Sequence, residues 1–125
     1  MSEQNGAYKV ALTAVTGTTA GGCLSLANPE GVDLIVTRLV LDITTPSTGA
    51  ATVDAGIAAN GTTSSDILID GASVATAAKV LDNINDAGTN GKARQKWTSG
   101  QFLTITASAT LAGLVGNAYI EYIRA

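Results

Sequence analysis

Histidine is absent from this sequence, cysteine occurs once, proline twice, and aromatic residues make up only 4% of the chain. Each shortage excludes something. Without histidine there is no Ser-His-acid or Cys-His nucleophilic couple, and most zinc sites lose their usual ligand. A single thiol, Cys23, cannot close an internal disulfide, so the fold does not depend on an oxidising compartment. Charged residues amount to 14%, where about 25% is ordinary for a globular domain. The net charge of −3 leaves no excess of Lys and Arg to neutralise phosphates, which argues against a general nucleic-acid binder. No apolar run approaches the roughly eighteen residues of a membrane-spanning helix. The opening MSEQNGAYKV has no basic segment followed by an apolar one, so no secretory signal is expected, and synthesis in a cytoplasm is.

What remains is 46% hydrophobic, so the core must be built from Ala, Val, Leu and Ile. The surface must then be covered by Thr, Ser, Asn, Gly and Ala. Such a weakly charged surface suits sheets with extensive subunit contact. The 125 residues fit one domain, placed at 7–125, preceded by a polar, flexible arm at Met1–Gly6.

Period-two alternation marks Ala7–Thr16 as a strand, followed by a glycine-rich loop at Gly17–Gly22 and a short strand at Cys23–Ala27. Asn28-Pro29-Glu30-Gly31 is a turn. Val32–Ile43 is the strongest strand. Val32, Leu34, Val36 and Val40 occupy one face of a regular strand here, and Ile35, Leu39, Leu41 and Ile43 the other. Apolar on both sides, it should be central and covered twice, by the core and by a neighbouring subunit. Further strands are expected at Ala50–Ala58 and Asp66–Ile69, with a turn at Asp70-Gly71. Ser73–Asp82 suits a helix or an extended crossing strand equally well. Asn83–Gly91 is a polar loop. The block Lys92–Arg124 holds three more strands, at Lys92–Thr98, Gln101–Ala107 and Asn117–Arg124, with Ser99-Gly100 reversing the chain between the first two. It carries Trp97, Phe102, Tyr119 and Tyr122, and should anchor the core. Seven or so short strands separated by turns predict an all-β sandwich or barrel with at most one short helix.

Little in the chain carries chemistry. Gly17-x4-Gly22 lacks the Lys and Ser or Thr of a phosphate loop, having Cys23 and Leu24 there instead. Cys23 in an apolar run reads as a buried, inert thiol. Asp82–Gly88 has the texture of a calcium loop, but Ile84 and Ala87 occupy positions that need a ligand and a glycine. The choice is between Asx turns and a structural ion held by Asp82 and Asp86, with Asx turns favoured. The acids Glu30, Asp33, Asp42, Asp54, Asp66, Asp70 and Glu121 form no recognisable acid/base pair. No catalytic, cofactor-binding or metal residue is assigned, and an enzyme is not expected. Lys92, Arg94 and Lys96 alternate on one strand face, as a docking stripe or, by preference, as a solvated edge that discourages strand pairing. Asn60-Gly61-Thr62 satisfies a glycosylation sequon by chance.

The opening AYKVALTAVTGTT, the segment WTSGQFLTITASAT and the ending GLVGNAYIEYIRA, within an Ala/Thr/Gly-rich chain, resemble small structural proteins encoded among the head genes of tailed bacteriophages and prophages. The likeness extends over about Ala7–Ala125 and contains no functional motif to transfer. It implies an antiparallel, jelly-roll-like β-sandwich that decorates a capsid or forms a head fibre, often as a homotrimer. The partners would be its own copies and the phage capsid protein, with no nucleic acid, membrane or cofactor. It would reside in the virion after synthesis in the host bacterial cytoplasm. The alternative is a carbohydrate-binding sandwich with Trp97, Tyr119 or Tyr122 as a stacking platform, which requires an exposed ring.

Overall fold

The computed structural model describes residues 5–125. Nine strands and no helix occur among them: β1 (Asn5–Ala11), β2 (Leu24–Ala27), β3 (Leu34–Thr45), β4 (Thr52–Ala58), β5 (Ile69–Ser73), β6 (Lys79–Asp82), β7 (Gln95–Trp97), β8 (Phe102–Ala107) and β9 (Val115–Arg124). Sheet A has the order β1-β9-β3-β6, with β7 pairing on the same edge of β3 as β6. Sheet B has the order β2-β8-β4-β5. All pairings are antiparallel. Nested pairs β4·β5, β3·β6, β2·β8 and β1·β9 form a ribbon folded over on itself, then closed by β3·β9 and β4·β8. This is the all-β antiparallel sandwich that the strand pattern predicted.

The two inner faces share one apolar cluster. Sheet A contributes Leu34, Val36, Leu39, Leu41, Ile43, Leu81, Trp97, Ala118, Ile120 and Tyr122; sheet B contributes Leu24, Val53, Ala55, Ile57, Ile69, Leu103, Ile105 and Ala107. Trp97 is fully buried and donates from Nε1 to the Gln101 carbonyl at 3.0 Å, so the aromatic block does anchor the core. Ser99-Gly100 does not form a hairpin there. It carries the chain from β7 in sheet A to β8 in sheet B.

Strand β3 departs most from its expected reading. A bulge between Val36 and Arg38 leaves Thr37 without a partner in β9. The extra residue resets the period, so Leu34 and Val36 share the inner face with Leu39, Leu41 and Ile43. Ile35 and Val40, assigned to opposite faces above, both point outward and are half-buried. Segment 73–82 is extended: β5 and β6 flank a bend in which Ala75 bridges Ser47, and the helix does not form. Asp70-Gly71 is no turn. Gly71 is the extra residue of a bulge opposite Val53 and Asp54, with φ of 77°, which glycine adopts without a Cβ penalty. Residues 1–4 of the expected arm lie outside the described residues, and Asn5 and Gly6 belong to β1.

Candidate interaction surface

The outer faces of the two sheets are treated differently by the chain. Loop 59–68 folds back across sheet B. Thr104 Oγ1 donates to the Thr63 carbonyl at 2.9 Å, Ser25 Oγ donates to the Gly61 carbonyl at 3.1 Å, and Gly61 rests near Phe102. Gly56 is buried beneath this loop; a Cβ there would come within 2.3 Å of Ser65 Oγ and 2.9 Å of the Ile67 nitrogen. Sheet B is therefore closed on both sides around its middle.

Sheet A is open. Its outer face can be read in rows from the strand register. One row runs Lys9 (β1), Tyr119 (β9), Val40 (β3), Asp82 (β6). The next toward β7 runs Ala7, Glu121, Arg38, and the one beyond places Ile123 beside Ile35 and Lys96. On the other side lie Ala11, Asn117, Asp42 and Val80. Val80 is 65% exposed and Ile123 41%, with Ile35, Val40 and Tyr119 half-buried. Lys9 Nζ lies 5.6 Å from the Tyr119 ring centroid, a cation–π contact at the sheet's edge. Apolar side chains thus fill the middle columns of two rows, while a Glu121–Arg38 row lies between them.

Other candidate residues are committed to the fold. Cys23 is buried, and burial pushes its thiol up to about 11, far from a reactive thiolate. Tyr122 is 3% exposed; its hydroxyl donates to Glu30 Oε2 at 2.6 Å, and Arg124 Nη2 reaches Glu30 Oε1 at 3.1 Å. Burial first, and the Glu30 bond second, push Tyr122 up to about 12. The Tyr122 hydroxyl, then Arg124, hold Glu30 below the usual carboxylate range. Of the three rings named for sugar stacking, Trp97 and Tyr122 are buried, and Tyr119 lies half-buried under Lys9.

Asp82 Oδ1 accepts from the Ile84 and Asn85 N–H groups at 2.7 and 2.8 Å, and Asp86 Oδ2 accepts from the Asp82 N–H at 2.9 Å. These are the Asx turns, and the Asn85 N–H first, with the Ile84 N–H and Asn85 Nδ2, holds the Asp82 carboxyl below its ordinary value. The fold brings together two acids that looked unrelated: Asp54 and Asp70 are cross-strand partners. Asp54 accepts from the bulge N–H of Gly71 at 2.8 Å, while Asn90 bonds both Asp70 and Asp66. Desolvation raises the Asp54 pKa, with Asp70 and Asp66 adding to it. Among the described residues, no group of three or more His, Cys, Asp or Glu is placed to hold a metal ion. Asn60 Oδ1 accepts from Thr62 and Thr63 within its own loop. Gly21 N–H donates to Thr106 Oγ1 at 3.0 Å, fastening the glycine-rich loop to sheet B. Of the basic stripe, only Lys96 is in β7, paired with Asp33 at 3.8 Å; Lys92 and Arg94 are in the preceding loop.

The outer-face set of sheet A was missed in the sequence because a regular strand was assumed through Thr37. Composition did not separate the two faces: Ile35 and Val40 are as apolar as the inward residues, and the spacing of 34 and 36 against 39, 41 and 43 that marks the extra residue emerges only in the burial.

No family model matches the chain, and no curated protein matches it. Among solved structures it is similar to a chain of the acidic stable capsid structure of Helicobacter pylori bacteriophage KHP30. That alignment covers 97% of this chain and 88% of the other, at 15% identity and a TM-score of 0.49.

Proposed function

We propose that this protein is a structural subunit of a tailed-phage virion, a capsid decoration or head-fibre protein that acts by protein–protein contact rather than by catalysis. The observation that carries the reading is the outer face of sheet A. The sandwich closes one outer face with its own loop and leaves the other presenting the register pairs Ile123/Ile35 and Tyr119/Val40, with Val80 nearby. Apolar pairs presented on an uncovered sheet face, with a row of opposite charges between them, support an association site. The low charge of the chain and its resemblance to phage head proteins point the same way.

The test is the composition of particles. Virions of the phage or induced prophage that encodes the chain are purified by density gradient and analysed by quantitative mass spectrometry. The chain is expected in a fixed ratio to the major capsid protein. Its absence from intact particles, while present in the lysate, would sink the proposal.

A further inference from the structure

We propose that the outer face of sheet A is a homodimer interface, two copies packing sheet on sheet about a two-fold axis that runs along the strands between β9 and β3. The argument is self-complementarity. Such an axis keeps each row in place and exchanges its columns, so β9 of one copy lies over β3 of the second, and β1 over the β6/β7 edge. Five of these exchanges join compatible groups. Tyr119 meets Val40 of the second copy, Ile123 meets Ile35, and Ala11 meets Val80. Glu121 meets Arg38, and Lys9 meets Asp82.

The charged rows decide the choice of partner. Lys9 and Asp82 sit on opposite edges of the same sheet, with β9 and β3 between them, so one protomer cannot pair them directly. Glu121 and Arg38 are cross-strand neighbours, and the axis brings two such pairs together into a neutral ring of four charges. A two-fold interface requires that a patch complement itself, and alternating signs about the axis satisfy this. Face-to-face sheets pack about 10 Å apart with their strands within about 30° of each other, a geometry this axis allows. Four strands about 4.8 Å apart over the length of β9 present on the order of 500 Å² per copy. The pair then buries on the order of 1,000 Å², the lower limit of a specific interface. A two-fold contact closes with two copies, where the resemblance implied three. The inference concerns the chain alone and does not depend on the virion reading.

The test uses charge reversal and mixing. Arg38 and Glu121 are exposed, so Arg38→Glu and Glu121→Arg should each fold, which circular dichroism checks. Light scattering should give wild type at twice the 12.5 kDa chain mass. Each variant alone places like charges across the axis and should dissociate about 100-fold or more weaker, running as a monomer. Mixed in equal amounts, the two variants restore opposite charges only between molecules, and the dimer mass should return. Lys9→Glu, on the edge strand and facing Asp82 of the second copy, should also weaken pairing and gives a second route should either variant fail to fold. A monomeric or trimeric wild type, variants that pair as well as wild type, or folded variants that do not re-pair on mixing would each overturn the proposal. None of these outcomes bears on whether the chain occurs in purified particles.

Discussion

Tyr122 shows how one side chain serves both core and surface. Its ring packs against Gly6 of β1, where a Cβ would come within 2.7 Å of it, so a cross-strand aromatic covers an edge-strand glycine. Its hydroxyl reaches the loop after β2 and holds Glu30, which Arg124 also binds. Asn28 fixes that loop: its Oδ1 accepts from the Glu30 and Gly31 N–H groups, and its Nδ2 donates to Val32, Trp97 and Thr98 carbonyls. The pKa shifts make the arrangement measurable. A phenol with its folded pKa raised from 10.0 to about 12 contributes stability that is complete below pH 10 and lost as pH rises through about 12. Glu30, held low, contributes above its unfolded value of 4.5, and that contribution is lost as pH falls through its folded pKa. Urea midpoints of Tyr122→Phe should therefore fall less between pH 10 and 12 than those of wild type. Equal alkaline losses in the two proteins would mean that the Tyr122 proton is not held by the fold.

At the scale of elements, the interruptions are more informative than the strands. The edge of β3 is covered by β6 over Val40–Ile43 and by β7 over Leu34–Val36, which leaves Thr37, Arg38 and Leu39 between them. Asn83 fills that gap as though it were a strand residue. Its N–H donates to the Leu39 carbonyl at 3.2 Å, its Oδ1 accepts from the Leu39 N–H at 2.8 Å, and its Nδ2 donates to the Lys92 carbonyl at 2.9 Å. Asn83 is 1% exposed, so truncation strands buried backbone groups where water does not reach. Asn83→Ala should cost about 2 kcal/mol or more, seen as a lower urea midpoint with an unchanged slope. A loss of under about 0.5 kcal/mol would show that β6 and β7 need no such splice. Much of this level was legible in advance. Turn chemistry and alternation located β2, β4, β8 and β9 to within a few residues, because there local pattern and burial agree. The bulges at Thr37 and Gly71 and the splice at Asn83 were not legible, since each is defined by a partner strand far away in sequence. At 73–82, where helix and extended strand were equally open, pairing of Lys79–Asp82 with β3 decided for the extended alternative against Ala propensity.

The whole molecule is held by pairings between distant parts of the chain, and its two terminal strands are neighbours, Asn5 opposite Ile123. Those strands nevertheless carry unequal weight. β9 lies between β1 and β3 and places Ala118, Ile120 and Tyr122 in the core, at 0%, 0% and 3% exposure. Burying two large side chains such as Ile120 and Tyr122 is worth about 3–6 kcal/mol, and the whole stability of a domain is only about 5–15 kcal/mol. Losing β9 would also open ten register positions along β3. β1 is an edge strand whose inward residues are Gly6, a 40% exposed Tyr8 and a half-buried Val10. Its removal takes away much less buried area and leaves the β9·β3 ladder intact. A chain lacking residues 1–11 should therefore keep its β-sheet circular dichroism and a cooperative urea transition at a lower midpoint. The freed edge of β9 should make it prone to associate. A chain lacking residues 115–125 should show no cooperative transition. The reverse pattern would place the organising centre of the sandwich at the β1 edge, and the ribbon would have to be regarded as closing from its outermost pair inward.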